Sequence, residues 1–264
     1  KNLNVLLNSY LENAYQLFRQ CFATKEAVEF CREIIQNHII PYLYSKKTAM
    51  IHLSNVRPIP LIETPGGIDP KSDSFGTEAR FEKGKKYLVL APSGKGKSTL
   101  LHIIYGLRKD FEGMVKIMGQ STENLSTDQW AELRQTHLSI VFQNLRLFPD
   151  LTALENIELK NALTNHKTPT EITEMAKKLG VENLLGKQAG VLSYGQRQRI
   201  AIIRALCQPF EILLLDEPFS HLDEDNINAA CHLVESEVNK QNAALVLVSL
   251  GIPYPISFDE ERVV

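Results

Sequence analysis

The sequence has few cysteines and no long apolar run. Its four cysteines, Cys21, Cys31, Cys207 and Cys231, lack both the paired short spacings of a zinc site and the density of a disulfide scaffold. We interpret them as reduced thiols that fill space in a core. The apolar stretch Ala243 to Val248 is among the longest, far below the roughly 18 to 20 residues that a membrane-spanning helix needs. We therefore expect that the chain does not cross a bilayer, and no secretory signal is evident.

The sequence also lacks an excess of charge of either sign. Its 29 basic and 31 acidic residues give a formal net charge of −2. No global positive field would draw such a protein to nucleic acid or to anionic lipid, so any membrane role would come through a protein partner. The chain does have the bulk for a core: 264 residues, 44% of them apolar, suit one α/β domain and a small extension.

Residues 1–49 differ in pattern from the rest of the chain. Apolar side chains recur at helical spacing from Leu3 to Phe18 and again from Val28 to Ile39. This pattern predicts a helical extension of two amphipathic helices in a hairpin. Such an extension could be a docking or regulatory element, or a helical appendage that only packs on the main domain.

Residues 50–264 have the pattern of an α/β domain. Met50 to Val56 alternates as a strand does, and a loop rich in Pro, Gly, Asp and Ser follows it to about Phe75. Beyond that loop, short apolar strands alternate with helical stretches, which predicts a largely parallel sheet covered by helices. The predicted strands are Tyr87 to Leu90, Leu138 to Phe142, Ile212 to Leu215 and Ala244 to Ser249.

A glycine-rich loop, Ala91 to Thr99, stands between the first of these strands and the apolar helical run Leu100 to Ile104. Strand, loop and helix in this order are the context of a Walker A motif, although Ala91 replaces its first glycine. Backbone N–H groups and the helix dipole would hold phosphate, Lys97 would reach the β and γ phosphates, and the Ser98 hydroxyl would ligate Mg²⁺. The residues expected to contact the nucleotide are Ser93, Gly94, Lys95, Gly96, Lys97, Ser98 and Thr99.

Two acids, Asp216 and Glu217, follow the strand Ile212 to Leu215. Ligands of open parallel sheets bind at this carboxyl end of the strands. Asp216 suits the Walker B role of holding hydrated Mg²⁺, and Glu217 can act as the general base that polarises the attacking water. An acidic pair at a strand end is often only a solvated terminus, but the distance to the phosphate loop and a motif between them favour a site.

That motif is Leu192-Ser193-Tyr194-Gly195-Gln196, which leads into a predicted helix, Ile200 to Cys207. Here the sequence resembles the ABC (ATP-binding cassette) ATPase family, whose signature is normally Leu-Ser-Gly-Gly-Gln. The resemblance covers roughly residues 50–264 and includes Gln143, which matches the Q-loop, and Ser220 to Asp223, which match the D-loop. It implies a P-loop NTPase core with an antiparallel β edge and a helical signature subdomain at about 144–205.

The family resemblance also implies roles for residues. Ser193 caps a helix whose N-terminus can bind an anion, and the family implies that this terminus binds the γ-phosphate of ATP held on a second cassette, so that two cassettes enclose two nucleotides. Gln143 is implied as a catalytic residue and, with Ser98 and Asp216, as a Mg²⁺ ligand. Tyr194 replaces a family glycine, and its ring either crowds the nucleotide or, as we interpret it, packs outward on the helical subdomain. The implied contacts to nucleotide around the signature and D-loop are Ser193, Gly195, Gln196 and Asp223.

The segment Leu147 to Ile157 and the preceding Phe142 to Asn144 resemble one branch of this family, which serves lipoprotein release, macrolide export and cell division. In that branch the apolar segment lies where the coupling helix of a permease docks. Alternatively, these residues only pack the helical subdomain. The implied partners are a transmembrane permease and a second cassette, in a homodimer. The implied location is the cytoplasm, peripheral on the cytoplasmic face of the inner (cell) membrane.

Two family features are missing. Leu250 stands where the family usually has a His that contacts the γ-phosphate, and the aromatic residue that stacks on adenine is not evident, with Phe75 and Tyr87 the candidates. Two functions therefore stay open: an ATPase subunit that powers a transporter through ATP-driven dimerisation, and a nucleotide-gated binding module with slow or no hydrolysis. A soluble cassette protein that acts on chromosomes or ribosomes is disfavoured, because the chain has one cassette and no excess of basic residues.

Overall fold

A computed structural model of the chain describes residues 49–90, 94–251 and 253–264. The predicted helical hairpin and Ser93 lie outside the described residues. Within them, no helix is both long enough and apolar enough to span a membrane. Cys207 and Cys231 are buried free thiols, and burial raises the pKa of each to about 12. These two cysteines are therefore core residues, as the sequence predicts.

The described residues alternate strands and helices. The strands are β1 (Ala49–Pro58), β2 (Glu78–Glu82), β3 (Lys86–Leu90), β4 (Phe111–Ile117), β5 (Gln120–Ser121), β6 (Leu138–Val141), β7 (Ile212–Asp216), β8 (Ala244–Ser249) and β9 (Glu260–Val263). The α-helices are α1 (Ile59–Ile62), α2 (Lys97–Ile104), α3 (Thr127–Thr136), α4 (Ala153–Asn161), α5 (Pro169–Lys178), α6 (Tyr194–Leu206) and α7 (Glu224–Gln241), with 3₁₀ turns at Glu182–Leu184 and Ala189–Val191.

The strands form two sheets. One is antiparallel in the order β2-β1-β4-β5, and the other is parallel in the order β6-β7-β8-β3-β9. Every residue of β6, β7 and β8 is buried, because helices cover both faces of a parallel sheet. The four predicted parallel strands agree with the structure to within one residue at each end. Strand β9, which pairs with β3, was not predicted.

Four helices begin at capping boxes, in which a Ser or Thr side chain accepts the N–H of the third helical residue and that residue's side chain accepts in return. The pairs are Ser126 with Gln129, Thr152 with Glu155, Thr168 with Glu171, and Ser193 with Gln196. The last three pairs start α4, α5 and α6, which lie between β6 and β7 in the chain. The expected helical segment between the Q-loop and the Walker B strand is therefore present.

A buried ion pair joins the turn before α5 to α7. The Lys167 ammonium lies 2.7 Å from the Glu237 carboxylate, and the two side chains are 8% and 3% exposed. Lys240 contacts the other carboxylate oxygen at 2.6 Å. Burial would raise the pKa of Glu237, but the hydrogen bonds from Lys167 and Lys240 outweigh burial and hold that pKa below its usual value. The pair fixes the helical segment against the rest of this domain.

Candidate active site

The phosphate loop turns directly from β3 into α2. Gly94 and Gly96 have φ values of 79° and 102°, a left-handed backbone that glycine adopts at little cost. Gly96 is also the N-cap of α2 and has no side chain that could cap this first turn. A Cβ on Gly96 would lie 2.8 Å from Leu61 and 2.9 Å from Phe75, so only glycine fits under these side chains.

The side chains of the loop point in different directions. Lys97 is 5% exposed, and its ammonium lies 3.5 Å from the Glu217 carboxylate. Lys95 instead donates to the Gly66 carbonyl at 2.6 Å, so only its backbone is placed to serve a phosphate. The Thr99 hydroxyl accepts from Arg108 at 3.5 Å. The structure therefore brings Lys97, and not Lys95 or Thr99, to the Walker B carboxylates.

Asp216, the last residue of β7, contacts the first turn of α2. Its carboxylate accepts from the Ser98 hydroxyl at 3.1 Å, and its side chain is 1% exposed. Burial raises the pKa of Asp216 above its usual value, and the charge of Glu217 adds to this effect, although Ser98, Lys97 and the Gln143 N–H oppose it. A buried carboxylate beside a second one is a favourable position for a cation.

Gln143 and Glu217 meet because each follows one of two neighbouring parallel strands, β6 and β7. The Gln143 amide donates to Glu217 Oε2 at 3.4 Å. Glu217 has a φ of 46°, in the left-handed region, and its N–H donates to the Val248 carbonyl at 3.2 Å. Lys97, Ser98, Gln143, Asp216 and Glu217 thus form one cluster at the carboxyl edge of the parallel sheet.

The signature residues lie at the N-terminus of α6. Ser193 and Gln196 bind each other in the capping box: the Ser193 Oγ accepts at 3.3 Å and Gln196 Oε1 accepts at 3.0 Å. A Cβ on Gly195 would come within 2.9 Å of the His221 carbonyl, so glycine allows α6 to approach the D-loop closely. Asp223 caps α7 by accepting from the Asn226 N–H at 2.9 Å.

Tyr194 does not pack outward, which corrects the interpretation from sequence. Its hydroxyl donates to the Gln143 carbonyl at 2.6 Å, and its ring centroid lies 4.3 Å from that of His221. Gln198, which sequence reasoning did not single out, is 1% exposed and donates to the Glu217 carbonyl at 3.2 Å. The available signal was a polar residue at helical spacing from the apolar positions Ala201, Ile202 and Ala205 that follow it. Tyr194 and Gln198 connect the signature helix to the catalytic cluster.

Of the two aromatic candidates for stacking on a base, Tyr87 does not fit that role, whereas Phe75 is almost fully buried but lines the crevice described below. Phe75 and Tyr87 are 2% and 0% exposed, and the Tyr87 hydroxyl accepts from the Glu82 N–H. A crevice of about 610 Å³ lies in the loop after β1, next to Gly66, and Arg57 lines it. Leu250 follows β8 at the same edge of the sheet as the cluster and is 53% exposed.

Comparisons with known proteins place the chain in a family. The ABC transporter family model matches residues 76–220, more than half of the chain. The lipoprotein-releasing system ATP-binding protein LolD of Francisella tularensis subsp. tularensis (strain FSC 198) is 34% identical over 173 residues, which are 64% of this chain and 75% of LolD. The ABC transporter ATP-binding protein YtrE of Bacillus subtilis (strain 168) is 33% identical over 171 residues, 63% of this chain and 74% of YtrE.

Solved structures agree with these relatives. The dimeric structure of MJ0796, a bacterial ABC transporter cassette, matches with a TM-score of 0.65 and 30% identity over 76% of this chain and 88% of that one. A post-hydrolysis state of MJ0796 bound to ADP and Pi matches with a TM-score of 0.64 and 29% identity, covering 77% and 88%. The fold, the nucleotide ligand and the resemblance to lipoprotein-release proteins agree with the predictions from sequence. The chain belongs to the ABC transporter family and is one of its ATP-hydrolysing cassettes.

Proposed function

We propose that this chain binds Mg²⁺-ATP at the cluster around Lys97 and Asp216, hydrolyses it with Glu217 as general base, and so powers a membrane transporter. One observation carries the proposal. The Lys97 ammonium lies 3.5 Å from the Glu217 carboxylate, and the Ser98 hydroxyl donates to the carboxylate of the neighbouring Asp216 at 3.1 Å. They lie at the carboxyl edge of the sheet, where the phosphate loop also ends.

Lys97 supplies the positive charge for the β and γ phosphates. Its side chain is almost fully buried, and an ion pair formed away from water is stronger than one at the surface. Backbone N–H groups at the start of α2, where the N-cap is Gly96, add a partial positive charge. The crevice beside Gly66, which Arg57 and Phe75 line, would take the base, and the Arg57 guanidinium is available to stack on it.

The donors near Asp216 fit Mg²⁺. The Asp216 carboxylate, the Ser98 hydroxyl and the side-chain oxygen of Gln143 are the hard oxygen ligands that this ion takes. In residues 49–90, 94–251 and 253–264, no group of three or more His, Cys, Asp or Glu could hold a metal. Phosphate oxygens would therefore complete the coordination. When bound, Mg²⁺ would neutralise charge that develops on the transferred phosphoryl group.

Glu217 would accept a proton from the attacking water. One carboxylate oxygen faces Lys97 and the other faces the Gln143 amide. These two contacts fix the orientation of the carboxylate, and a positioned general base is typically worth about 10² to 10⁴ in rate. One residue supports a second candidate function, a nucleotide-gated module with slow hydrolysis. The side chain of Leu250 has no hydrogen-bond donor for the phosphate.

A second cassette would complete the site. The helix α6 has 13 residues, and its first turn is capped by Ser193 and Gln196. The remaining N–H groups of this turn are suited to the γ-phosphate of a nucleotide on a second copy of this chain. The dimeric state of MJ0796 supports such pairing. The pairing would be closed by ATP and released by hydrolysis.

An exposed apolar surface is suited to a permease. Phe148, Leu154 and Val191 are 57%, 39% and 73% exposed. Their segments lie side by side, because the Gly190 N–H donates to the Pro149 carbonyl at 2.9 Å. An exposed apolar patch of this kind marks a protein contact. We infer that a permease docks here and holds the chain at the cytoplasmic face of the cell membrane.

The test compares Lys97→Ala with the neighbouring Lys95→Ala. Lys97→Ala should remove most ATP affinity, measured by titration, because its ammonium is the charged group of the cluster. Lys95→Ala removes the same charge from the same loop but should have the smaller effect, since its side chain binds Gly66. Equal losses in both variants would contradict the assignment of Lys97.

Hydrolysis is tested with Glu217→Gln. This variant should bind ATP, form an ATP-dependent dimer in size-exclusion chromatography and turn over slowly. Steady-state ATPase activity with and without Mg²⁺ separates an ATPase from a slow gating module. Undiminished turnover in Glu217→Gln would remove Glu217 from the role of base.

A further inference from the structure

Tyr194 connects three segments of the active site. Its hydroxyl donates to the carbonyl of Gln143, 51 residues earlier in the chain. Its ring lies against the ring of His221 in the D-loop, with a centroid separation of 4.3 Å and an interplanar angle of 51°. As the first residue of α6, Tyr194 therefore ties the signature turn to the Q-loop and to the D-loop of the same chain.

A second residue of α6 holds the same turn. Arg204, in the last turn of this helix, donates to the carbonyls of Leu145 and Arg146 at 2.5 Å and 2.7 Å. Leu145 and Arg146 have φ values of 61° and 48°, an uncommon backbone for residues with side chains. The strained turn 143–146 is thus bound to α6 at both ends, by Tyr194 near one and by Arg204 near the other.

The contacts close a ring through the catalytic carboxylate. The side chain of Gln143 donates to Glu217 at 3.4 Å, and the Glu217 carbonyl accepts from Gln198 of α6 at 3.2 Å. Gln198 in turn accepts from the His221 N–H at 3.3 Å. The Tyr194 hydroxyl is the link that fixes the carbonyl, and with it the backbone, of the residue whose side chain touches Glu217.

We propose that Tyr194 is a positioning residue: it binds the turn 143–146 to α6, so that Gln143 and the signature turn move as one unit and Gln143 keeps its place against Glu217. The proposal rests on the proposed function, because it assigns a role in the same ATPase site. A small residue at this position could not bridge α6 to the Gln143 carbonyl. Any displacement of Gln143 by nucleotide is therefore transmitted to the surface that meets the second cassette.

The test is Tyr194→Phe, which removes the hydroxyl and keeps the ring on His221. The matched control is Tyr87→Phe, which also removes one hydroxyl that binds a backbone group, here the Glu82 N–H. Hydrogen exchange of the nucleotide-free chains is measured first. The amides of Leu145 and Arg146 donate to the carbonyls of Phe142 and Asn144. They should exchange about three to ten times faster in Tyr194→Phe and at the wild-type rate in Tyr87→Phe, because one lost hydrogen bond has an effect of this size.

Steady-state kinetics is measured next. Tyr194→Phe should lower kcat about three- to tenfold, because Gln143 orients Glu217, and should leave KM for ATP within about twofold, because Lys97, Ser98 and Asp216 still hold Mg²⁺-ATP. Faster exchange with unchanged kcat would show a merely structural bond and overturn the proposal, and so would unchanged exchange. If the wild-type chain fails to bind ATP, the proposed function fails, and the nucleotide-free exchange still decides whether Tyr194 holds the turn.

Discussion

Replacing Leu250 with His should raise turnover. In the parallel sheet Val248 pairs with Asp216 and Ser249 pairs with Leu90, the last described residue before the phosphate loop. Leu250 is the next residue, and it is 53% exposed at this edge. Because this side chain is half exposed, an imidazole can take its place without repacking the core. The imidazole would donate a hydrogen bond to the transferred phosphoryl group.

The magnitude follows from the chemistry of one donor. A single positioned hydrogen-bond donor to a developing oxyanion is typically worth about 10² to 10³ in kcat, or about 2.7 to 4 kcal/mol. The affinity for ATP should change much less, since the interaction forms mainly in the transition state. The assay is steady-state phosphate release at saturating Mg²⁺-ATP, with ATP binding measured separately.

The matched control is Leu250→Phe, which introduces a ring of similar shape without a donor. Leu250→Phe should leave kcat near the wild-type value, so that a gain in Leu250→His alone reports the donor. Turnover of folded, ATP-bound Leu250→His within about twofold of wild type would refute the placement of Leu250 beside the γ-phosphate.

Three further predictions concern stability and the N-terminal region. Glu237→Gln should lose about 3 to 5 kcal/mol, because it removes the buried partner of Lys167 and leaves only the exposed Glu171 carboxylate, 3.9 Å away, and thermal unfolding at neutral pH checks this loss. In the folded protein the pKa of Glu237 lies below its usual 4.5. The stability advantage of the wild-type chain over Glu237→Gln should therefore be complete above pH 4.5 and should fade as the pH falls through the lowered pKa. Asp216→Asn should unfold at a higher temperature at pH 7, by about 2 to 4 °C for each kcal/mol gained, yet lose Mg²⁺-dependent ATPase activity. The raised pKa of Asp216 means that its ionisation destabilises the folded state as pH rises above 3.8, and unchanged or lower thermal stability would refute this. Deleting residues 1–44 should leave ATP affinity unchanged in a titration, and a folded truncated chain that no longer binds would contradict it.

The strands of the parallel sheet were predictable because burial on both faces demands continuous apolar runs. Ala244 to Ser249 and Ile212 to Leu215 are such runs, and each is a strand in the structure. The positions of Asp216 and Glu217 follow from the same rule, since polar residues after a buried strand must lie at its carboxyl edge. The N-cap of α6 at Ser193 was also predictable, because serine is a preferred capping residue and it stands directly before the helix.

The direction of Tyr194 could not be predicted, because its hydrogen bond goes to a residue 51 positions away. Only the three-dimensional packing of α6 on the turn 143–146 decides it. The edge strand β9 was missed for a related reason. Its sequence, Glu260 to Val263, carries three charged residues and shows no buried alternation, and its pairing with β3 depends on a contact distant in the chain.

The left-handed backbone of Glu217 has a consequence for anyone who engineers this protein. A φ of 46° in a residue with a side chain costs about 1 to 3 kcal/mol, and the buried charge of Asp216 lies next to it. Glycine in place of Glu217 would relieve this cost but would also remove the carboxylate 3.5 Å from the buried Lys97, whereas Asp216→Asn would melt later and lose Mg²⁺-dependent hydrolysis. A library screened only for heat resistance would therefore enrich dead enzymes, and each round of selection must include a turnover assay.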